Sequence, residues 1–307
     1  MSGPDLVPFF KYAEERENIR IRRLEGGHRP YTEDPILGMY RFCNVNREHD
    51  TTTIWFRDNV RERMRSMPEV LMATVLFRWF NRITTGEAMF VQPDLSGRTA
   101  WEKFLADGDS CHLSSHISTY CGKGPYVTGS YIIKTPNGLG KLHGVLQCVE
   151  WLDRDKRPFD AGAELNVPYE LHWRQTARAC LDHRGSITLE AVWEWLRQFR
   201  YMGDFMAYEV VTDLYHTDIL CDAPDIMTWA NPGPGARRGL NRIHGRSLEA
   251  PTPKAQLIQE MRDILHEAHL DAPTKEWDMR TVEHTLCEFD KYQRALLGQG
   301  RPRQVFR

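Results

Sequence analysis

The sequence predicts an all-α fold in two lobes, and three observations carry that expectation. Helical periodicity recurs along most of the 307 residues. Strand signals are confined to "PYVTGSYIIKTP" (125–136), so at most a minor β-ribbon is expected, because a single ribbon makes no sheet. The composition, 41% hydrophobic and 27% charged, is that of a globular chain long enough for one large or two modest domains.

The elements follow in order. Residues 1–35 read as an N-terminal helix and an extension, 36–295 as the helical body, and 296–307, ending "GQGRPRQVFR", as a basic frayed tail. "TIWFRDNVRERM" (53–64) sets Ile54, Phe56, Val60 and Met64 mostly along one stripe, with arginines opposite. "PEVLMATVLFRWFNRI" (68–83) opens with Pro68 and is apolar nearly all round, the pattern of a central buried helix. Further amphipathic helices are expected at 138–155, 187–199, 203–216, 252–270 and 280–297, and irregular segments at 22–36, 92–98 and 154–168.

Bulk features exclude several classes. No apolar run approaches the roughly 20 residues of a membrane span, and the N-terminus lacks the basic-then-apolar order of a signal peptide. A cytoplasmic protein with no membrane partner is expected. The seven cysteines are scattered and never form C-x-x-C, which suits reduced thiols. "CHLSSHISTYC" (111–121) is the tightest ligand-like cluster, but no second Cys/His group completes it, so no metal site is assigned. Arginine supplies 31 of the 40 basic residues in a chain of net charge −2. Either one face is strongly positive and suited to phosphate, or the excess reflects codon usage.

"ANPGPGARRGLNRIHGR" (230–246) has the layout of a helix-hairpin-helix: 222–230 as one helix, "NPGPG" as the turn and 236–244 as the next. Gly233 and Gly235 would let backbone N–H groups approach a DNA phosphate, and Arg237, Arg238 and Arg242 would pair with its neighbours. An ordinary αα-turn is the plain alternative. DNA glycosylases use such hairpins with an essential aspartate roughly 20 residues on. Here 243–256 has no aspartate, and Glu249 is its one acid.

Other constellations concentrate chemistry. Arg41, Asn44, Arg47 and Asp50 are spaced by three and on a helix would share a face, fit to hold a diphosphate and orient a nucleophile, or simply a solvated face. Asn81 beside a strongly apolar helix is either a satisfied core amide or a base-edge reader. Tyr208, Asp213 and His216 fall near one another, and Glu283, His284, Cys287, Glu288, Asp290, Lys291 and Tyr292 crowd one helix. Surface salt bridges or a polar cleft would each explain that crowding.

The blocks "YRFCNVNREHD", "VLFRWFN", "VTGSY", "GDFMAYEVVTDL", "GPGARRGL" and "EHTLCEFDKY" resemble, in the same order, those of the phage thymidine-hypermodification proteins. That family comprises alpha-glutamyl/putrescinyl thymine pyrophosphorylases, or amino acid:DNA transferases, and is related to the helical domain of 5-hydroxymethyluracil DNA kinases. The resemblance spans about residues 36–295 and implies a helical fold similar to helix-hairpin-helix DNA glycosylases. It also implies a transferase that replaces the pyrophosphate of 5-pyrophosphoryloxymethyluracil in DNA with an amine. The kinase relatives carry a P-loop beside the helical domain; this sequence has no G-x-x-x-x-G-K-[ST], which favours the transferase side.

The partners implied are double-stranded DNA bearing modified thymidine, within an infected bacterial host, and an amino acid or polyamine donor. No cofactor is assigned with certainty: Mg²⁺ on the pyrophosphate is possible, but no ligand set compels it. Under that resemblance Arg41 and Arg47 are expected on the pyrophosphate, and Asp50 or Asp213 as general base. Glu288 and Asp290 would hold the incoming ammonium or orient Arg41, and Lys291 would meet a phosphate. Asn44, Asn81, Tyr131, Tyr208 and His284 would line the pocket of a flipped base. A glycosylase-like hydrolase and a non-catalytic reader of modified DNA are the competing classes.

Overall fold

The computed structural model describes residues 3–130, 132–162, 165, 170–270, 274–302 and 305. Among them are fourteen α-helices. In chain order these begin with α1 (Val7–Leu24), α2 (Pro35–Met39), α3 (Thr51–Phe56), α4 (Glu69–Phe80), α5 (Ile83–Gly86), α6 (Ala100–Asp107) and α7 (Cys111–Cys121). They continue with α8 (Lys141–Arg154), α9 (Trp173–Asp182), α10 (Leu189–Leu196), α11 (Gly203–Leu214), α12 (Pro234–Ile243), α13 (Lys254–Ala268) and α14 (Met279–Leu296). One antiparallel ribbon, β1 (Arg157–Pro158) with β2 (Glu170–Leu171), is the whole of the sheet structure described. The fold is all-α.

The chain divides into two compact units, one of residues 1–50 with 226–307, the other of residues 51–225. These limits differ from the expected breaks at 35 and 295. The reason is visible in the first unit, where α1 is no extension. Its Phe9 is fully buried and meets Phe289 of α14 edge-on at 5.6 Å and Trp277 at 6.1 Å.

In the same unit α12 lies against α14, and glycines allow it. A Cβ at Gly235 would collide with Cys287 Sγ, and one at Gly239 would stand 2.6 Å from the Leu286 carbonyl oxygen. Residues 222–230 correct the expected hairpin, since they form turns instead of a first helix. Pro224 disfavours helical geometry at the residue before it. The Asp225 carboxylate is drawn away to cap α10, accepting from the Leu189 and Glu190 N–H groups at 2.7 and 3.1 Å.

The second unit is built round α4, buried from Val70 through Phe80 as its all-round apolar sequence requires. It packs on α11, buried from Met206 to Leu214. Arg78 is the exception in this core, and Asp213 answers it through two hydrogen bonds, the second at 2.6 Å. Arg61 adds a contact to Asp213 at 3.6 Å. α4 stops at Asn81, which takes the left-handed conformation (φ 44°) that asparagine tolerates. The expected helix at 53–64 starts as α3, widens into a π-turn over Arg57–Arg61 and tightens over Glu62–Met64. The strand-like run 125–136 pairs with no strand among the described residues. Its backbone bonds elsewhere: Thr128 N–H to Phe80 O at 2.8 Å, and Ile133 O from Lys141 Nζ at 2.5 Å.

Candidate functional site

The unit of residues 1–50 and 226–307 holds a polar cluster assembled from three pieces of chain. α1 supplies Tyr12 and Arg16, the irregular segment 41–50 supplies Cys43, Asn44, Arg47 and Asp50, and α14 supplies His284, Cys287, Glu288 and Lys291. Residues 41–46 form no helix; a single 3-10 turn, Arg47–His49, follows. The expected helical row is therefore absent, yet its members still meet. Asn44 donates to Asp50 Oδ1 from both its backbone N and its Nδ2, each at 3.0 Å, and Arg47 Nε lies 3.9 Å from Asp50 Oδ2.

Two buried groups pin this segment from either side. Arg16, 5% exposed, donates to Cys43 O at 2.9 Å, Phe42 O at 3.2 Å and Asn44 Oδ1 at 2.7 Å. Glu288 accepts the Cys43 N–H at 2.9 Å and pairs with Lys291 Nζ at 2.5 Å. Donor atoms of Cys43, Asp50 and His284 all lie within 4.8 Å of one another. The Tyr12 hydroxyl and one terminal nitrogen of Arg16 are buried with no hydrogen-bond partner among the described residues.

Burial sets the electrostatics. It raises the proton affinity of Asp50 above the ordinary aspartate value, partly offset by Arg47 and the Asn44 N–H. Burial and the nearby Glu288 push the Cys43 thiol well up. Cys287 rises to about 12 through burial and Glu283. Burial alone would lower Lys291, but Glu288 and Cys43 outweigh it and strengthen its hold on the proton. The cluster thus offers a carboxylate of raised basicity beside persistent cations.

Other expected site residues fall elsewhere. Arg41 is exposed and has no ion pair among the described residues. Asp290 is fully buried and takes Arg238 at 2.9 Å, Arg242 at 3.1 Å and Arg294 at 3.2 Å. Arg237 pairs with Glu249 at 3.0 Å. The Gly233 N–H points to Glu283 Oε1 at 3.5 Å, while Gly235 and Gly239 allow the approach of α12 to α14. In the unit of residues 51–225, Asp213 is bound to Arg78, Asn81 accepts from Arg78 at 3.1 Å, and Tyr208 is buried in α11. Asp213 and Asp290 therefore have the geometry of buried ion pairs with arginines. Tyr131 lies outside the described residues.

Sequence reasoning missed Tyr12, Arg16 and Cys43. A signal existed for Arg16: it falls on the stripe Phe9, Tyr12, Ala13, Ile19 that α1 buries, and a charge on such a stripe needs partners.

The described chain is thus all-α, with a carboxylate, a thiol and an imidazole gathered among arginines in one of its units. Residues 5–301 match the family described as "5-hmdU DNA kinase, helical domain", and the chain belongs to it. A 5-hmdU DNA kinase of Bacillus phage SP10 is 25% identical over 307 aligned residues, covering 92% of this chain and 44% of that protein. The chain thus spans less than half the length of that relative. No solved structure matches. No helix among the described residues is long and apolar enough to cross a membrane.

Proposed function

We propose that the chain acts in phage thymidine hypermodification, replacing the pyrophosphate of 5-pyrophosphoryloxymethyluracil in DNA with an amine. Membership of a family named for a kinase of 5-hydroxymethyluracil DNA supports the substrate class. One structural observation supports the reaction: Asp50 is a largely enclosed carboxylate bonded twice by Asn44 at 3.0 Å with Arg47 Nε 3.9 Å away, an enclosure that favours its protonated form.

In the step, the exocyclic C–O bond breaks, a C–N bond forms, pyrophosphate leaves with the electron pair, and the amine loses a proton. Arg41 and Arg47 meet the charge growing on the leaving group, the larger contribution to lowering the barrier. Asp50 takes the amine proton, its raised proton affinity making it a stronger base than an exposed aspartate. Glu288, paired with Lys291, holds the Cys43 backbone in place, and His284 completes the wall. The base reaches the site by flipping from the duplex, at a cost of about a few kcal/mol.

The test is product analysis. Purified protein is incubated with DNA bearing 5-pyrophosphoryloxymethyluracil and a pool of amino acids and polyamines, and the digested nucleosides are read by mass spectrometry. A nucleoside with amine in place of pyrophosphate supports the reading and names the donor. Unchanged nucleosides overturn it in favour of a reader, and abasic sites in favour of a hydrolase.

A further inference from the structure

We infer that Cys43, Asp50 and His284 form a binding site for a divalent transition-metal ion of the zinc class. The three bring one sulfur, one oxygen and one nitrogen within 4.8 Å of one another from two separate pieces of chain. Bonds of about 2.0–2.3 Å to a tetrahedral ion ask these atoms to draw in by roughly 1 Å, a side-chain adjustment. A thiolate and an imidazole select against magnesium and calcium, which take oxygen ligands. Three protein ligands leave a fourth position open.

The surroundings fit an ion. Asn44 holds Asp50 Oδ1 through two hydrogen bonds of 3.0 Å and so orients the carboxylate; Oδ2, 3.9 Å from Arg47 Nε, is the oxygen assigned to the ion. Thiolate and carboxylate together carry the two negative charges that balance a divalent ion. Binding forms a metal–sulfur bond and releases the Cys43 thiol proton to solvent. Cys43 is half-buried as a residue while its thiol faces inward, among the groups that would hold the ion. The neighbouring Tyr12 is 4% exposed and its hydroxyl has no partner among the described residues, an acceptor or donor in want of a ligand group or bound water.

One consequence rests on the proposed reaction. Asp50 Oδ2 cannot both bind the metal and accept the amine proton, so metal occupancy switches turnover off. Binding itself does not depend on that reaction.

The full chain is titrated with Co²⁺ and followed by absorbance, then Zn²⁺ is added. The expected result is one equivalent bound, a near-ultraviolet thiolate-to-cobalt band, and its loss on zinc addition. Cys43→Ser abolishes the band, Asp50→Asn weakens binding about 10- to 100-fold, and Cys111→Ser, exposed and remote from the cluster in sequence, changes nothing. Absence of the band in the natural protein overturns the inference, as does a band that survives Cys43→Ser. Should Cys43→Ser fail to fold by circular dichroism, unchanged cobalt affinity in Asp50→Asn overturns it instead. Cobalt binding by a protein that yields no amine product when assayed metal-free leaves the site standing and removes the reaction; amine product from a chain that binds no cobalt does the reverse.

Discussion

Asp50 is the residue at which two physical demands meet, burial that favours its protonated form and hydrogen bonds that favour its carboxylate. Burial wins, so its folded-state proton affinity lies above the ordinary value of 3.8. The sign follows from linkage. An aspartate raised in the folded state contributes stability that is complete below 3.8 and lost as pH rises through its folded value. Asp50→Asn should therefore match the natural protein in stability at acid pH and equal or exceed it near neutrality. Activity should move the other way. If Asp50 accepts the proton in the proposed reaction, turnover of Asp50→Asn should fall about 100-fold or more, and kcat/KM of the natural protein should decline on the acid side with a midpoint above 3.8. Urea titrations at several pH values together with single-turnover rates read both. Loss of rate in step with loss of stability would assign Asp50 a structural role only. Asp50, Asn44 and Arg47 were legible because charged residues at short spacing meet even without a helix. Arg16 was not, because its partners are carbonyls 26 and 27 residues away.

At the scale of elements, the pairing of α12 with α14 explains why glycine recurs at 235 and 239. Four residues apart, both present the same helix face, where α14 leaves no room for a Cβ. Read from sequence, the same pattern suggested a phosphate-binding hairpin, because glycine permits close approach to any backbone, protein or nucleic acid. Gly239→Ala should cost about 1–3 kcal/mol, as overpacking does, measured by urea denaturation. Gly233→Ala is the comparison: its Cβ would meet only Glu283 Oε1 at 3.8 Å, so it escapes overpacking and should cost only the loss of a favoured N-cap residue, about 0.5–1 kcal/mol. If Gly239→Ala folds normally and only DNA binding suffers, the packing account fails. The helices from α8 onward were mostly legible because each buries one stripe against the core. α9 was overlooked although Trp173, Ala177 and Cys180 mark its buried face. Residues 222–230 misled because the partner that unwinds them, the N-terminus of α10, lies more than 30 residues earlier.

For the whole molecule the open question was where 31 arginines go in a chain of net charge −2. Many are spent internally. Arg238, Arg242 and Arg294 surround Asp290, Arg246 binds Glu260 through two contacts of 2.6 Å, and Arg174 reaches Glu69 at 3.0 Å. Arg78 and Arg61 share Asp213, and Arg65 and Arg184 share Asp218. Arginine suits this use because its fork satisfies two carboxylate oxygens at once. A charge so neutralised releases no counterion when DNA binds. The proposed binding to modified duplex should then show a shallow salt dependence. If about three or four phosphates are met, by exposed cations such as Arg41, the slope of log K against log salt is about −3 to −4. Fluorescence anisotropy with a labelled duplex across a salt series measures it. A slope near about −8 would mean that a broad positive surface survives the internal pairing, and would return the arginine excess to the role of a DNA-binding face.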